Sequence, residues 1–399
     1  MSLDLSDMWN LTDEQKLIIE SVKKVCEKYD ESYWRRLNQI REFPEDFIHE
    51  LERLGLAALP VPSEYGGSSL GLREAVLVLE EINAHGGNSQ PLHGQYYLLF
   101  LLSKFASEEL KDKYLPSIAS GQIRFQTLAL TEPEVGSDIL KIKTTARRQS
   151  NKYVIRGHKI FISRVLQTDI MLLVARTKTV EEVEHKTDGL TLFIVNVKEA
   201  MKEGKLIVNR INTAINSQTF ELFFDDLSIP EDNIIGKEND GFKYLLQVLN
   251  PERILVAAEC IGDARWFLEK SINYAKNRVI FNKPIGSNQG IQFPIASLYA
   301  KLLTASNFVW KAANIYDEIG DLDSAIVGKY ANVAKFISSE CSTEAGNIAM
   351  DVYGAYGMTE EAGIIRKLLE NRLYRIAPIS QNLVLGYIAH NILDLPRSF

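Results

Sequence analysis

Apolar residues change their spacing twice along the chain, and the two changes mark three zones. Over residues 1–123 the spacing is helical. Thr12 and Gln15 make a capping-box start, after which Ile18, Val22, Val25 and Cys26 fall on one face. Pro44-Glu45-Asp46 marks another helix start, followed by Phe47, Leu51 and Leu54, and Glu64-Tyr65-Gly66-Gly67-Ser68 reads as a turn between helices. Over 124–235 the pattern shortens to β-type runs. Residues 153–155 and 160–163 flank an expected turn at Arg156-Gly157-His158. Residues 170–175 and 190–195 are continuous apolar strands, and 219–224 is another. From 236 to 399 the helical period returns in long amphipathic stretches at 242–276, 294–318, 323–350 and 378–394. Helices of that length pack as antiparallel bundles.

The expected fold is therefore mainly α with a small β domain. An N-terminal helical domain (1–123) leads into a central antiparallel β-barrel or sandwich (124–235), and a C-terminal four-helix bundle follows (236–399). The length of 399 residues suits two or three domains.

Composition narrows the function. Apolar residues make up 46% and charged residues 24%, which suits globular cores. A net charge of −7 argues against a surface built to coat nucleic acid or anionic lipid. Three cysteines far apart, Cys26, Cys260 and Cys341, suit a reducing compartment better than a disulfide scaffold, and no Cys/His spacing points to a metal. Asp4, Asp7 and Asp13 with no apolar core argue against a signal peptide, and no apolar run is long enough to span a bilayer. The expectation is a cytoplasmic protein without integral membrane association.

The most informative segment is Leu128-Ala129-Leu130-Thr131-Glu132-Pro133-Glu134-Val135-Gly136-Ser137-Asp138. On its own it is a strand ending in a Pro- and Gly-containing loop. Backbone N–H groups and hydroxyls in such a loop suit polar ring edges and phosphate oxygens, although a plain surface loop is an equal alternative. The segment resembles the TEPxxGSD signature of the acyl-CoA dehydrogenases, and its companions follow in collinear order over nearly the whole chain. Gly157-His158-Lys159-Ile160-Phe161-Ile162-Ser163 resembles the family's G-x-K-x-W-I-[TS] strand. Ser228-Ile229-Pro230 through Gly236 resembles the connection into the bundle. Arg278 to Gln289 resembles R-x-x-F-G-x-x-I-x-x-x-Q, and Asp351 to Gly357 resembles Q-x-x-G-G-x-G. Leu395-Pro396-Arg397-Ser398 matches the C-terminus of one branch of the family.

The resemblance implies FAD and assigns roles by position. Leu128, Leu130 and Thr131 would line the isoalloxazine. Gly136 and Ser137 would lie near the pyrophosphate and the bound thioester, which makes Ser137 a substrate contact as well. Phe161 and Ser163 would cover the flavin. Arg278, Phe281 and Gln289 would hold the adenosine half from a neighbouring subunit of a homotetramer, a dimer of dimers, and Ser380 also falls on the cofactor side. The residue types agree: Arg suits phosphate and an aromatic suits a flat ring.

The chain departs from the family pattern in three places, one of them a pair of residues. Phe161 replaces the usual tryptophan. Asp351 and Ala355 replace the glutamine and second glycine of the adenosine loop, where a carboxylate beside a diphosphate is unfavourable unless it turns away. In place of the I-Y-E-G-T segment that carries most members' catalytic glutamate stands Tyr374-Arg375-Ile376-Ala377-Pro378-Ile379-Ser380. Pro378, at the base position, can neither accept a proton nor offer an N–H; a one-residue slip would put Ala377 there, with an N–H but no base. In isovaleryl- and long-chain acyl-CoA dehydrogenases the base stands on an earlier helix, just before an arginine, and Glu252-Arg253 match that pair. Glu252 is the expected base, Arg253 a substrate-side residue, and Glu259 the less favoured substitute. A solvated glutamate in a helix's first turn is the bland alternative for Glu252.

The expected activity is FAD-dependent α,β-dehydrogenation of an acyl-CoA thioester to the 2-enoyl-CoA, as in fatty acid metabolism, with electrons passing to an electron-transferring flavoprotein. A flavin oxidase or monooxygenase on the same fold is the rival enzyme. A catalytically silent flavin or acyl-CoA binding protein is the rival of another class.

Overall fold

The computed structural model describes residues 9–319 and 324–397. Six helices come first: α1 (Asp13–Lys28), α2 (Glu31–Ile40), α3 (Glu45–Arg53), α4 (Leu72–Ala84), α5 (Gln90–Phe105) and α6 (Glu108–Ala119). The β segment holds β1 (Thr127–Ala129), β2 (Thr145–Gln149), β3 (Lys152–Ser163), β4 (Ile170–Arg176) and β5 (Leu190–Asn196). A short α7 (Val197–Lys202) leads to β6 (Leu206–Ile211), β7 (Thr219–Pro230) and β8 (Ile234–Ile235). Then come α8 (Gly241–Asn277), a hairpin of β9 (Val279–Ile280) and β10 (Lys283–Pro284), α9 (Gln289–Ile319), α10 (Ser324–Tyr353), α11 (Ile364–Leu373) and α12 (Gln381–Tyr387). The helical, β, helical order is the one the spacing predicts.

The chain divides into two compact units. One takes the residues up to Ile40, Gly71–Ser89 and everything from Asn250 onward; the other takes Arg41–Leu70 and Gln90–Leu249.

In the first unit, α1 starts where the capping box requires. Thr12 Oγ1 accepts from Gln15 N at 3.2 Å and Gln15 Oε1 accepts from Thr12 N at 3.0 Å, so two orphan donors are satisfied. Ile18, Val22, Val25 and Cys26 are buried as expected. The C-terminal helices differ from expectation at one end. Residues 378–380 lie outside any helix, Ser380 caps α12, and a π-helical turn (Ile388–Ile392) follows. The helix α11 escapes the apolar pattern because Lys367, Glu370 and Asn371 occupy its buried face.

In the second unit, the strands run β6-β7-β3-β2-β4-β5-β8 across one sheet. Pairing is antiparallel except that β1 and β2 are both parallel to β4, along the same edge. Every residue of β4 is buried, which explains its continuous apolar run. The core is formed by Met171, Leu173, Phe193, Val195, Phe220 and Leu222 with their neighbours. Gly157 makes no turn: β3 continues through it with a register shift between Ile155 and Gly157. A Cβ there would come within 2.3 Å of Thr144 Oγ1, so glycine is required by close approach. Leu54 lies just past the end of α3 and is exposed.

Candidate active site

The signature loop is built around one buried carboxylate. Glu132 accepts hydrogen bonds from Lys143 N at 2.7 Å, Thr144 N at 2.9 Å and Lys159 Nζ at 3.0 Å. Lys159, fully buried on β3, also donates to the Leu130 carbonyl at 2.8 Å. Glu132 and Val135 exchange backbone hydrogen bonds across Pro133-Glu134. Ile160 N donates to Thr131 O at 2.9 Å. The motif is thus fastened to β3 by a buried ion pair and backbone bonds. Burial alone would raise the Glu132 carboxyl, but Lys159 and the surrounding donors hold it below the usual range. Burial pushes Lys159 down to about 8 against the pull of Glu132.

This scaffold presents the expected flavin-side residues along one edge. Leu128, Leu130, Thr131 and Ser163 are half-buried, and Gly136 and Ser137 are exposed. A Cβ on Gly136 would meet nothing within 4 Å, so the loop is open there. A second register shift, between Lys159 and Ile162, brackets Phe161. Phe161 sits at φ 57° with its ring 61% exposed. A bulky residue in the left-handed region is rare and is held only by a constraining framework. An exposed aromatic on the strand bonded to this loop, with Gly136 and Ser137 open to solvent, fits a planar, polar-edged ring system such as FAD. Thr127 Oγ1 donates to Ser163 O at 3.0 Å, a contact that ties β1 to the end of β3. Sequence reasoning named neither Thr127 nor the Lys159–Glu132 pair as part of the site; a lysine inside an apolar strand was the available signal for the pair.

The residues expected on the adenosine side lie in the first unit. Arg278 follows α8 directly, Gln289 begins α9, and both are exposed. Phe281, at the tip of the β9–β10 hairpin, is 93% exposed at φ 53°. Asp351 is exposed near the end of α10, so its carboxylate is solvated. The adjoining loop carries an aromatic stack that sequence reasoning missed. Tyr274 and Tyr353 have ring centroids 4.1 Å apart, and Tyr356 stacks 6.0 Å from Tyr353.

Apart from Ser137, the residues expected on the substrate side lie on α8 and on the connection from α11 to α12, also in the first unit. Glu252 and Arg253 are both buried, so the solvated-glutamate alternative fails. Arg253 Nη1 donates to Asn250 Oδ1 at 2.9 Å. Burial lowers the Arg253 pKa, opposed by the charge of Glu252. Spacings of four residues put Glu252, Val256 and Cys260 on one face of α8. Val256 and Cys260 pack against Tyr374, which heads the connection carrying Pro378. Ala377 N already donates to Leu373 O at 2.9 Å. A register slip therefore frees no N–H at Ala377. Ser380 Oγ accepts from Leu383 N at 3.4 Å as the cap of α12.

Glu259 belongs to a separate buried network. Ser89 Oγ contacts Glu259 Oε1 at 3.1 Å and Asn83 Oδ1 at 2.7 Å. Asn83 Nδ2 donates to Asp263 Oδ1 at 3.0 Å, and Lys367 Nζ lies 2.5 Å from the same oxygen. Glu259 is therefore committed to a chain of polar groups linking α4, α8 and α11.

Comparison with known proteins defines the class. The profiles named "Acyl-CoA dehydrogenase" match in all three parts: N-terminal domain at residues 12–122, middle domain at 127–227 and C-terminal domain at 239–393. The chain belongs to the acyl-CoA dehydrogenase family of FAD-using oxidoreductases. It is 32% identical to the acyl-CoA dehydrogenase fadE12 of Mycobacterium bovis over 97% of this chain and 98% of that one. Among solved structures, the butyryl-CoA dehydrogenase of Megasphaera elsdenii superposes with a TM-score of 0.88 at 26% identity, covering 96% of this chain and 99% of that one. The FAD complex of PigA superposes with a TM-score of 0.87 at 26% identity, covering 96% and 98%. No described helix is long and apolar enough to cross a membrane.

Proposed function

We propose that this protein desaturates an acyl-CoA thioester between its α and β carbons, with Glu252 as the base. The observation that carries the proposal is the burial of Glu252 on the same α8 face as Val256 and Cys260, which pack on the head of the segment holding Pro378. A carboxylate kept from water is a stronger base toward a weakly acidic α proton than a solvated one. Glu252 takes that proton. Bound FAD would supply the hydride acceptor for the β hydrogen. Phe161 would cover the ring, while Leu128, Leu130, Thr131, Gly136, Ser137 and Ser163 would supply the backbone and hydroxyl contacts that orient it. Ser137 and Arg253 serve the substrate side. Arg278, Phe281 and Gln289 reach the adenosine half of a neighbouring subunit's cofactor in a homotetramer, and Ser380 completes the cofactor side through the cap it provides.

Pro378 changes how the thioester oxygen is stabilised. Negative charge that develops on that oxygen needs donors. Pro378 has none and the N–H of Ala377 is already used, so the donors come from outside this pair. The electrons pass on to an electron-transferring flavoprotein.

The test is anaerobic titration of the purified yellow protein with a panel of saturated acyl-CoA esters. Bleaching of the flavin by at least one ester, with little oxygen consumption in air, is the expected result. Oxygen consumption matched to turnover would make the protein an oxidase. An unbleached flavin across the panel would leave a silent binder as the better reading.

A further inference from the structure

The segment between α11 and α12 is held by a lysine that no ion pair explains. Lys335 of α10 is fully buried and donates from Nζ to the Ile379 carbonyl at 2.8 Å. One turn along, Ser339 Oγ accepts from Gln381 Nε2 at 2.7 Å and donates to Lys335 O at 2.8 Å. Gln381 N returns to the Arg375 carbonyl at 3.2 Å. At the segment's other end, Tyr374 packs on Val256 and Cys260.

Burying an ammonium is costly unless it is paired and hydrogen-bonded. The charged and titratable groups facing Lys335 are Cys260 and Arg253 of α8, Arg375 of the segment itself and Glu340 of α10. Glu340 is already paired with Arg375 at 2.6 Å. Among the described residues, no carboxylate lies within ion-pair distance of Lys335. Burial first, then Arg253 and Arg375, push Lys335 down to about 8. An apolar side chain would fill the same space without that cost. What the lysine adds is a charge-assisted hydrogen bond to the carbonyl next to Pro378.

We propose that Lys335 is a positioning residue for the dehydrogenation: through the Ile379 carbonyl it fixes the backbone at 377–380, and so the placement of Pro378, relative to the α8 face that carries Glu252. Its catalytic half rests on the dehydrogenase reading. The anchor itself does not. Lys335 touches no reacting atom; it acts through the segment. Where most members of the family place an ionisable side chain, this chain places a rigid ring, and a ring on a connection needs an anchor to hold one position.

The test compares the parent holoprotein with Lys335→Met, which keeps the stem and loses the donor, and with Lys335→Arg, which keeps the charge. Amide exchange over 378–383 and single-turnover flavin reduction by a good acyl-CoA are the two readouts. Lys335→Met is expected to exchange faster over 378–383 and to slow reduction, each by about 10- to 100-fold, the loss of one hydrogen bond to a charged group. Its flavin retention and its affinity for acyl-CoA should stay close to the parent's. Lys335→Arg should recover part of both effects. The parent's reduction rate should also fall above about pH 8, and Lys335→Arg should lose that limb. Parent-like exchange and reduction in Lys335→Met overturn the proposal. If Lys335→Met does not fold, the pH limb of the parent against Lys335→Arg decides. If no acyl-CoA reduces the parent, the dehydrogenase reading is what fails, and exchange alone decides whether Lys335 anchors the segment.

Discussion

Lys159 Nζ lies 3.0 Å from Glu132 Oε1, and both side chains are out of water. This contact joins the two most recognisable stretches of the sequence, the Thr-Glu-Pro loop and the strand that carries Phe161. Each partner also binds backbone, so the pair sets the height of the loop above the sheet. Lys159→Met should leave Glu132 buried and ionised without its cation. The expected loss is about 3–5 kcal/mol, read as a lower denaturant midpoint. Bound flavin should also be released more easily. Adding Glu132→Gln to Lys159→Met should recover part of the stability, because no charge is then stranded. A single Lys159→Met variant with the parent's midpoint and flavin retention would show the pair to be dispensable.

The network around Asp263 gives a pH dependence with a definite sign. Burial raises the Asp263 carboxyl from 3.8 to about 6, outweighing the pull of Lys367. A group whose folded pKa exceeds its unfolded one contributes stability that is fully present below the unfolded value. That contribution is lost as pH rises through the folded value. Asp263 should therefore make the protein less stable as pH climbs from 3.8 to about 6. Carboxylates such as Glu132, held below their usual range, act in the opposite sense. Asp263→Asn keeps the shape and removes the titration. Thermal melts over this window should show a more positive slope of Tm against pH in Asp263→Asn than in the parent. Parallel slopes would contradict the assignment.

How much of this was legible in the sequence depends on whether a feature is local. The capping box at Thr12 and Gln15, the buried strand β4 and the long helices α8 to α10 follow from periodicity and turn chemistry, and all are present. Helix α11 was not legible, because Lys367 and Asn371 on its buried face are satisfied by partners about 280 and 108 residues away in the chain. The expected turn at Gly157 failed for a similar reason. Its glycine answers the approach of Thr144, which no local pattern shows. Glu252 is a candidate base only through resemblance, since a glutamate before an arginine is common. Its burial is a tertiary fact.

Phe161 offers a test that separates backbone strain from packing. A non-glycine residue at φ 57° costs roughly 1–2 kcal/mol, and a ring 61% exposed returns little packing energy. Phe161→Gly removes the strain and the ring together. Glycine's larger entropy loss on folding offsets about 0.5–1 kcal/mol of the relief, so apoprotein stability should stay within about 1 kcal/mol of the parent. Flavin affinity, measured by fluorescence quenching, should fall. Phe161→Ala keeps the strain and loses the ring, so its apoprotein should stay near the parent's stability while its flavin affinity falls. A Phe161→Gly apoprotein that unfolds far more easily than the parent would show that the ring supports the fold rather than the cofactor.

Glu252→Gln is the most direct test of the chemistry, because it keeps the side chain's shape and hydrogen bonding and removes only the proton acceptor. Arg253 would keep its bond to Asn250, so the start of this buried stretch of α8 should hold. Flavin and acyl-CoA affinities should remain near the parent's. Single-turnover reduction should slow by about 10²–10⁴-fold, the range for loss of a general base. Glu259 is the internal control. It lies seven residues on, about two helical turns or ~10 Å along α8, and Ser89 already binds its carboxylate. Glu259→Gln should disturb that network, lowering the melting temperature, while the reduction rate stays within a few-fold of the parent's. The opposite pattern, with a slow Glu259→Gln and a parent-like Glu252→Gln, would move the base two turns along the helix. It would also mean that the polar chain through Ser89, Asn83 and Asp263 serves the proton transfer and not the packing of α4 on α8.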